Sequence, residues 1–346
     1  MTLSSQAIVG LVALAFFAAI PAWVPAWALA DFAIYFTYAL FAVSLAFAWG
    51  QVGLLSLGHG VYFGVGAYAM SVVTLGMVPR ASGLHSSWVG LFAAVILAGG
   101  VAGLLGWFFF ASRGLRGAFL GIVTLALAVV AERIATNVDW LGGLNGLMNV
   151  PPLNLGLNGN GADVFDPLPL YWTMLAVLTA VLVGMLALNA SIFGVVLAAI
   201  RENELRAWTL GQDIRRLKIA TFAISGAIAG LAGALFVAQF GFVSPSLIGF
   251  ALSSDVLIWV AFGGRQALVA SALGAIALRF LEGRLSGPIG AAWPLIMGLL
   301  FMLTVLLLPN GIFGELIVRL DRWRAARDRS RQNRLATAEA VPLRKS

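Results

Sequence analysis

The sequence predicts an all-α fold: a polytopic transmembrane helical bundle of about ten spans, some short or broken, with both termini cytoplasmic. Three observations carry that expectation. Of 346 residues, 61% are hydrophobic and only 10% are charged, against roughly 45–50% and about 25% in soluble domains. The few charges are also bunched: Asp31 is the single charge between Met1 and Pro79, and 32–79 is a 48-residue run with no Asp, Glu, Lys or Arg. Finally, 17 of the 21 basic residues fall into patches separated by apolar stretches of spanning length.

A spanning helix needs about 20 apolar residues. The run 7–30 supplies the first, with Pro21 and Pro25 near its end, where a helix break is tolerated. The run 32–79 is far too long for one straight helix at about 1.5 Å per residue across a hydrocarbon core of about 30 Å. It must turn or break, and the glycine cluster from Gly50 to Gly60 is the place. Further uncharged runs are 88–111, 117–131, 167–200, 219–254, the short pair 256–264 and 266–278 flanking Arg265, and 285–314, which complete ten crossings. The start lacks a basic n-region and runs directly into further spans, so it is expected to be mature protein rather than a cleaved signal.

Lys and Arg near span ends favour the cytoplasmic side. Ten alternating crossings put four patches on one side: Arg113 and Arg116; Arg201, Arg206, Arg215, Arg216 and Lys218; Arg265; and the run from Arg319 to Lys345. Arg80, Arg133, Arg279 and Arg284 remain for the other. The transmembrane body is then 1–318, with an external loop at 138–167 containing Asn145, Asn149, Asn154, Asn158 and Asn160, and a basic cytoplasmic tail at 319–346. The tail has one aromatic residue, Trp323, and no recognisable nucleic-acid module. Its expected partner is membrane lipid, at about 1 kcal/mol per basic residue on an anionic surface, and not nucleic acid.

Gln51, Ser56 and His59 sit among four glycines inside an apolar run. Polar groups at membrane depth face a cavity or the bundle interior, which makes these three translocation-pathway candidates; a wet cytoplasmic turn accounts for them equally well. A metal site at His59 is not expected, since His85 is the only other histidine. Glu132, Arg133 and Asp139 close an apolar helix ahead of Gly142-Gly-Leu-Asn-Gly146, and line a pathway mouth or rest solvated at the interface. Asp255 and Glu282 pose the same question at the outer ends of the two short spans. Between two spans, Arg201-Glu-Asn-Glu-Leu-Arg-Ala-Trp-Thr-Leu-Gly211 has a helical pattern that pairs Glu202 with Arg206, sets Leu205 and Trp208 on one face and stops at Gly211. This helix lies on lipid or docks to a partner; two glutamates in one turn favour a protein partner over an anionic surface. Gly226, Gly230 and Gly233 form a small-residue stripe for close helix packing. No phosphate-binding loop occurs, and the only lysines are Lys218 and Lys345. If ATP drives this chain, another chain binds it.

Together these segments resemble one family, the membrane permease subunits of ABC importers for branched-chain amino acids, closer to the LivM than to the LivH type. The resemblance rests on Gly50-Gln-Val-Gly-Leu-Leu-Ser-Leu-Gly-His-Gly60 and its continuation to Tyr68, on Thr124 through Glu132-Arg, on Gly142 through Gly146 with Asn145, on Ala199-Ile-Arg-Glu-Asn-Glu through Gly211, and on Leu308-Pro-Asn-Gly-Ile-Phe-Gly314. The asparagine-rich loop after Gly146 and Trp208 depart from the pattern. The resemblance implies a non-catalytic subunit of a bacterial inner-membrane complex with a homologous second permease, two ATPases that bind ATP and Mg, and a periplasmic solute-binding protein. This chain would hold no cofactor. The segment 199–218, with Arg201, Glu202, Glu204, Arg206, Trp208 and Gly211, would be its coupling element. The same family carries urea, amides and carboxylates, so these remain alternative cargoes. A stand-alone ion-coupled transporter is the other alternative; it needs titratable groups along the path, and few exist beyond Glu132, Asp255 and Glu282.

Overall fold

The first apolar run stops at its prolines. In the computed structural model, which describes residues 5–78, 86–110, 117–156 and 163–339, helix α1 (Ser5–Ala19) closes in a 3-10 turn at Ile20–Ala22, and α2 (Ala26–Ala46) starts directly behind Pro25. Proline's fixed φ suits a helix start and its missing N–H costs nothing there. Helix α2 ends in a π-helical turn, Phe47–Gln51. The chain then runs without helix through residues 53–56 and a turn before α3 (Gly60–Thr74) begins. At 15 residues, α3 reaches only about 22 Å, short of a hydrocarbon core of about 30 Å. The non-helical stretch before it covers the rest of the depth.

Helices α4 (Ser87–Phe110), α5 (Ala118–Asn137) and α6 (Pro167–Ala190) follow. After them come two short helices, α7 (Ile192–Glu202) and α8 (Glu204–Thr209), and then α9 (Ile214–Phe240), α10 (Phe250–Gly263), α11 (Leu268–Ile289), α12 (Trp293–Leu307) and α13 (Ile312–Glu339). The only sheet among the described residues is a two-residue antiparallel pair, β1 (Leu147–Met148) with β2 (Phe242–Val243). Among the described residues, eight helical stretches are long and apolar enough to cross a membrane. Helix α3 with its extended lead and α11, which carries Arg279, Glu282 and Arg284, bring the crossings to ten.

Helix α2 is the axis of the bundle: 78% of its spanning window is buried, against 22% for α6. It packs on α6, α9, α10 and α11, while α9 also holds α3 and α4. The stripe Gly226, Gly230 and Gly233 does the packing expected of it. Beta carbons there would strike Ala102, Ala98 and the Phe63 carbonyl, so the first two glycines seat α4 and the third seats α3. Lipid offers no hydrophobic drive between helices, and van der Waals contact of this kind replaces it.

Four expected boundaries move. The run 167–200 is two helices broken at Ser191, 219–254 is α9 plus the start of α10, and 285–314 joins the end of α11 to α12. The two short spans around Arg265 are helices of 14 and 22 residues. Asp255 and Glu282 lie within those helices instead of at their ends. Cutting spans at charges fails here because Arg279 and Glu282 form an ion pair inside the bundle. Arg279 likewise lies near the middle of α11 and not at the membrane surface. Arg80, His85, Arg113, Arg116, Asn158, Asn160, Arg344 and Lys345 lie outside the described residues.

The ten crossings alternate consistently. Gly50 at the end of α2, Arg201 in α7, Arg265 in the α10–α11 turn and the start of α13 come together at one end of the bundle. Arg324 donates to Ser5 Oγ (3.4 Å), bringing the first helix to that same end. We call it the arm end.

Candidate functional site

Two of the three polar residues of the Gly50–Gly60 segment are not wet, and Gln51 is half-buried. Ser56 and His59 are fully buried, which removes the cytoplasmic-turn alternative for them. His59 Nε2 lies 2.9 Å from Ser44 Oγ on α2, its ring stacked on Phe41 and edge-on to Tyr62. The Ser44 hydroxyl already donates to the Phe41 carbonyl (2.6 Å), so His59 Nε2 carries the proton and donates to Ser44, leaving Nδ1 as a bare acceptor. Among the described residues His59 Nδ1 and Ser56 Oγ have no hydrogen-bond partner.

Non-helical backbone at membrane depth requires donors and acceptors from neighbouring helices, and the sequence places them. Leu57 N–H donates to Thr124 Oγ1 on α5 (3.0 Å), and Gly60 N–H donates to Ser253 Oγ on α10 (2.8 Å). A beta carbon on Gly58 would collide with the Thr124 carbonyl, so only glycine lets the two backbones meet. The segment is a non-helical strap joining α2, α5 and α10.

Its arm-end anchor is the π-helical turn. Gln51 Nε2 donates to the Gln266 carbonyl (3.2 Å), Arg265 lies over the Trp49 ring (5.2 Å), and Arg201 Nη1 donates to the Gly50 carbonyl (2.6 Å). The last bond ties α7 directly to the strap. A second tie holds α8: Glu204 forms an ion pair with Lys218 of α9, which is almost fully buried and lies over the Phe110 ring of α4.

The arm is not the single helix expected across 201–211. Asn203 is extended (φ −157°, ψ 102°), splits α7 from α8, and caps α8 by accepting from Arg206 N–H (3.0 Å). Asn prefers caps to helix interiors, and the break puts Glu202 and Arg206 on different helices, so they form no i,i+4 pair. Glu204 turns inward to Lys218. What the arm presents outward is Leu205 and Leu210, each 71% exposed, and Trp208, 65% exposed. Glu202, Arg206 and Gly211, at φ +82°, are also exposed.

At the far end, the Glu132 carboxylate packs against Gly249, the residue preceding α10. Gly142 through Gly146 form a 3-10 turn between two glycines with positive φ. At Gly146 (φ +68°) a beta carbon would strike the Val243 carbonyl, so this glycine permits the β1–β2 pair. Asn145 is exposed on that loop. The structure therefore brings Gln51, Ser56 and His59 onto one strap with Arg201, sets Glu132 against Gly249, whose carbonyl closes on Gly60 at the strap's inner end, and leaves Asn145 on the exposed far-end loop.

Sequence reasoning missed the partners, Ser44, Thr124, Lys218 and Ser253, because single polar residues in apolar helices look alike until the fold pairs them. It singled out Asp255 and Glu282 but set them at the ends of short spans, and missed that Arg279 joins Glu282 in a charged cluster between α2, α10 and α11. There Arg279 pairs with Glu282 (2.7 Å) and lies over Tyr38 (4.2 Å) and Trp259 (5.6 Å). Its signal was an Arg and a Glu three apart on an otherwise apolar helix. The described residues contain no group of three metal-type ligands.

Ten crossings, a strap of irregular backbone at membrane depth and a paired-helix arm bound to that strap define a multi-pass membrane transport permease. Residues 28–308 match the family described as Branched-chain amino acid transport system / permease component, and the chain belongs to that family. It is 31% identical over 296 residues to the high-affinity branched-chain amino acid transport system permease protein LivM of Escherichia coli (strain K12), covering 80% of this chain and 67% of that one. It is 25% identical over 289 residues to LivH of Salmonella typhimurium, covering 81% and 92%. The autoinducer 2 import system permease protein LsrC of Klebsiella pneumoniae is 30% identical over 158 residues, or 43% of this chain and 44% of that one. No solved structure matches.

Proposed function

We propose that this chain is the LivM-type permease subunit of an ABC importer in a bacterial inner membrane, translocating small amino acids, most of all branched-chain ones. A periplasmic binding protein delivers the cargo, two separate ATPase subunits supply the energy, and a homologous permease completes the pathway. The chain itself breaks no bond and binds no ATP. The observation that carries this reading is the Arg201–Gly50 bond, which joins an arm with an exposed Leu205, Trp208 and Leu210 face to the strap inside the bundle. An ATPase seated on that face and closing around ATP would push α7 and α8, and α7 would pull the π-helical turn. The strap then shifts against Thr124 and Ser253, and α5 and α10 move with it. This is a shift between two packed arrangements driven by differential binding.

The family fold does not fix the cargo: LsrC is named for autoinducer 2 import, and urea, amides or small carboxylates remain alternatives. Co-expression with the neighbouring transport genes and reconstitution into liposomes tests the reading. ATP-dependent leucine uptake that requires the ATPases and the binding protein is expected. Uptake by this chain alone under an ion gradient would overturn it in favour of a secondary transporter. Within the complex, Trp208→Ala should leave ATP hydrolysis running while uptake falls; unchanged uptake refutes the docking face.

A further inference from the structure

The cluster between α2, α10 and α11 is not used by the coupling route above, and its chemistry is unbalanced. It lies in the far half of the bundle, since Asp255 is in the first half of α10 and Arg279 near the middle of the oppositely running α11. Ionisable residues inside a membrane face the bundle interior or a pathway and are functional by default. Arg279 and Glu282 satisfy one another on one helix face (2.7 Å). Asp255, one helical turn before Trp259 on α10, has no hydrogen bond or ion pair among the described residues. Two N–H donors are left over beside it. Trp259 is fully buried, and its indole Nε1 has no acceptor among the described residues; Arg279 Nε is buried and equally unmet. Tyr38, edge-on to Trp259, closes the group toward α2.

Two unmet donors call for an acceptor, and an unmet carboxylate calls for a cation. A lone cation would leave both N–H groups bare, and a lone anion would add to the net negative charge of Arg279, Glu282 and Asp255. One small molecule carrying both an ammonium and a carboxylate answers every unmet group. We propose that this cluster is a station for a zwitterionic amino acid in transit, with the cargo ammonium on Asp255 and its carboxylate on the Trp259 and Arg279 N–H groups. The proposal rests on the importer function above and names the part of this chain that touches the cargo.

The test uses the complete importer in liposomes, with radiolabelled leucine uptake and ATP hydrolysis measured together. Asp255→Asn should lower uptake about tenfold or more, the worth of one charged hydrogen bond, while hydrolysis stimulated by the loaded binding protein stays within about twofold. Trp259→Phe keeps the ring and removes the donor, and should lower leucine moved per ATP hydrolysed. Asp255→Glu should restore part of the loss. Wild-type uptake in Asp255→Asn overturns the station. So does a loss of complex recovery and hydrolysis in Asp255→Asn alongside normal uptake in Trp259→Phe, which would make the cluster a structural tie. An unmutated complex that hydrolyses ATP yet moves no leucine overturns the importer's cargo class itself, and is visible before any variant is made.

Discussion

Two hydroxyls on α5 and α10 hold the irregular backbone in place. Thr124 and Ser253 accept from Leu57 N–H and Gly60 N–H, and nothing else described takes those protons. Thr124→Val keeps the shape and removes the acceptor, and Ser253→Ala does the same one contact further on. A buried donor left unmet costs about 1–3 kcal/mol. Each variant should therefore lower the unfolding midpoint of the purified permease in detergent, and the pair should lower it by nearly the sum, because the hydroxyls share no partner. A double variant no worse than either single would show that the strap moves as one loose unit. Lys218 behaves differently. It is buried against Phe110 and neutralised by Glu204, so Glu204→Gln strands an almost fully buried ammonium, whereas Lys218→Met strands a carboxylate that is partly exposed. The loss in Glu204→Gln should exceed that in Lys218→Met, and adding Lys218→Met to Glu204→Gln should recover part of it, as removing both members of a pair is milder than removing one.

The helices were legible because apolar length is the strongest signal a membrane chain carries, and the strap was half legible because four glycines and three polar residues interrupt such a run. Boundaries were misplaced wherever a charge was read as a border. Arg279 and Glu282 sit inside α11 because they pair with one another and Arg279 lies over Tyr38 of α2 and Trp259 of α10, and contacts between elements far apart in sequence leave no local trace. The arm was read as one helix, since the periodicity of 201–211 fits one. Asn203 decides otherwise by offering its side chain to Arg206 N–H. Asn203→Ala removes that cap, worth about 1 kcal/mol, and lets α7 run on into α8. Trp208 would then swing off the face it shares with Leu205 and Leu210. ATP hydrolysis by the assembled complex should lose its stimulation by the loaded binding protein, while the permease still assembles; stimulation intact in Asn203→Ala would mean that the kink plays no part in docking.

At the scale of the whole molecule, the basic residues and the packing give one topology by independent routes. Charge counting groups Arg201, Arg265 and the Arg319 patch on one side of the membrane, and the structure brings Arg201, Arg265 and the start of α13 to one end of the bundle, with Ser5 beside Arg324. Neither route needs the other, and an added or missing crossing would separate what the contacts join. The positive-inside rule predicts that the arm end faces the cytoplasm, where the proposed ATPase partner would find ATP. The chain contains no cysteine, so single introduced thiols report sidedness without background. Leu205→Cys on the arm and Trp323→Cys on α13 should react with a membrane-impermeant maleimide only after the membrane is opened. Leu144→Cys, on the 81% exposed tip of the far-end loop, should react in intact spheroplasts. The reverse pattern would place the arm outside the cell, where no ATPase could reach it, and the coupling mechanism would fall with the orientation.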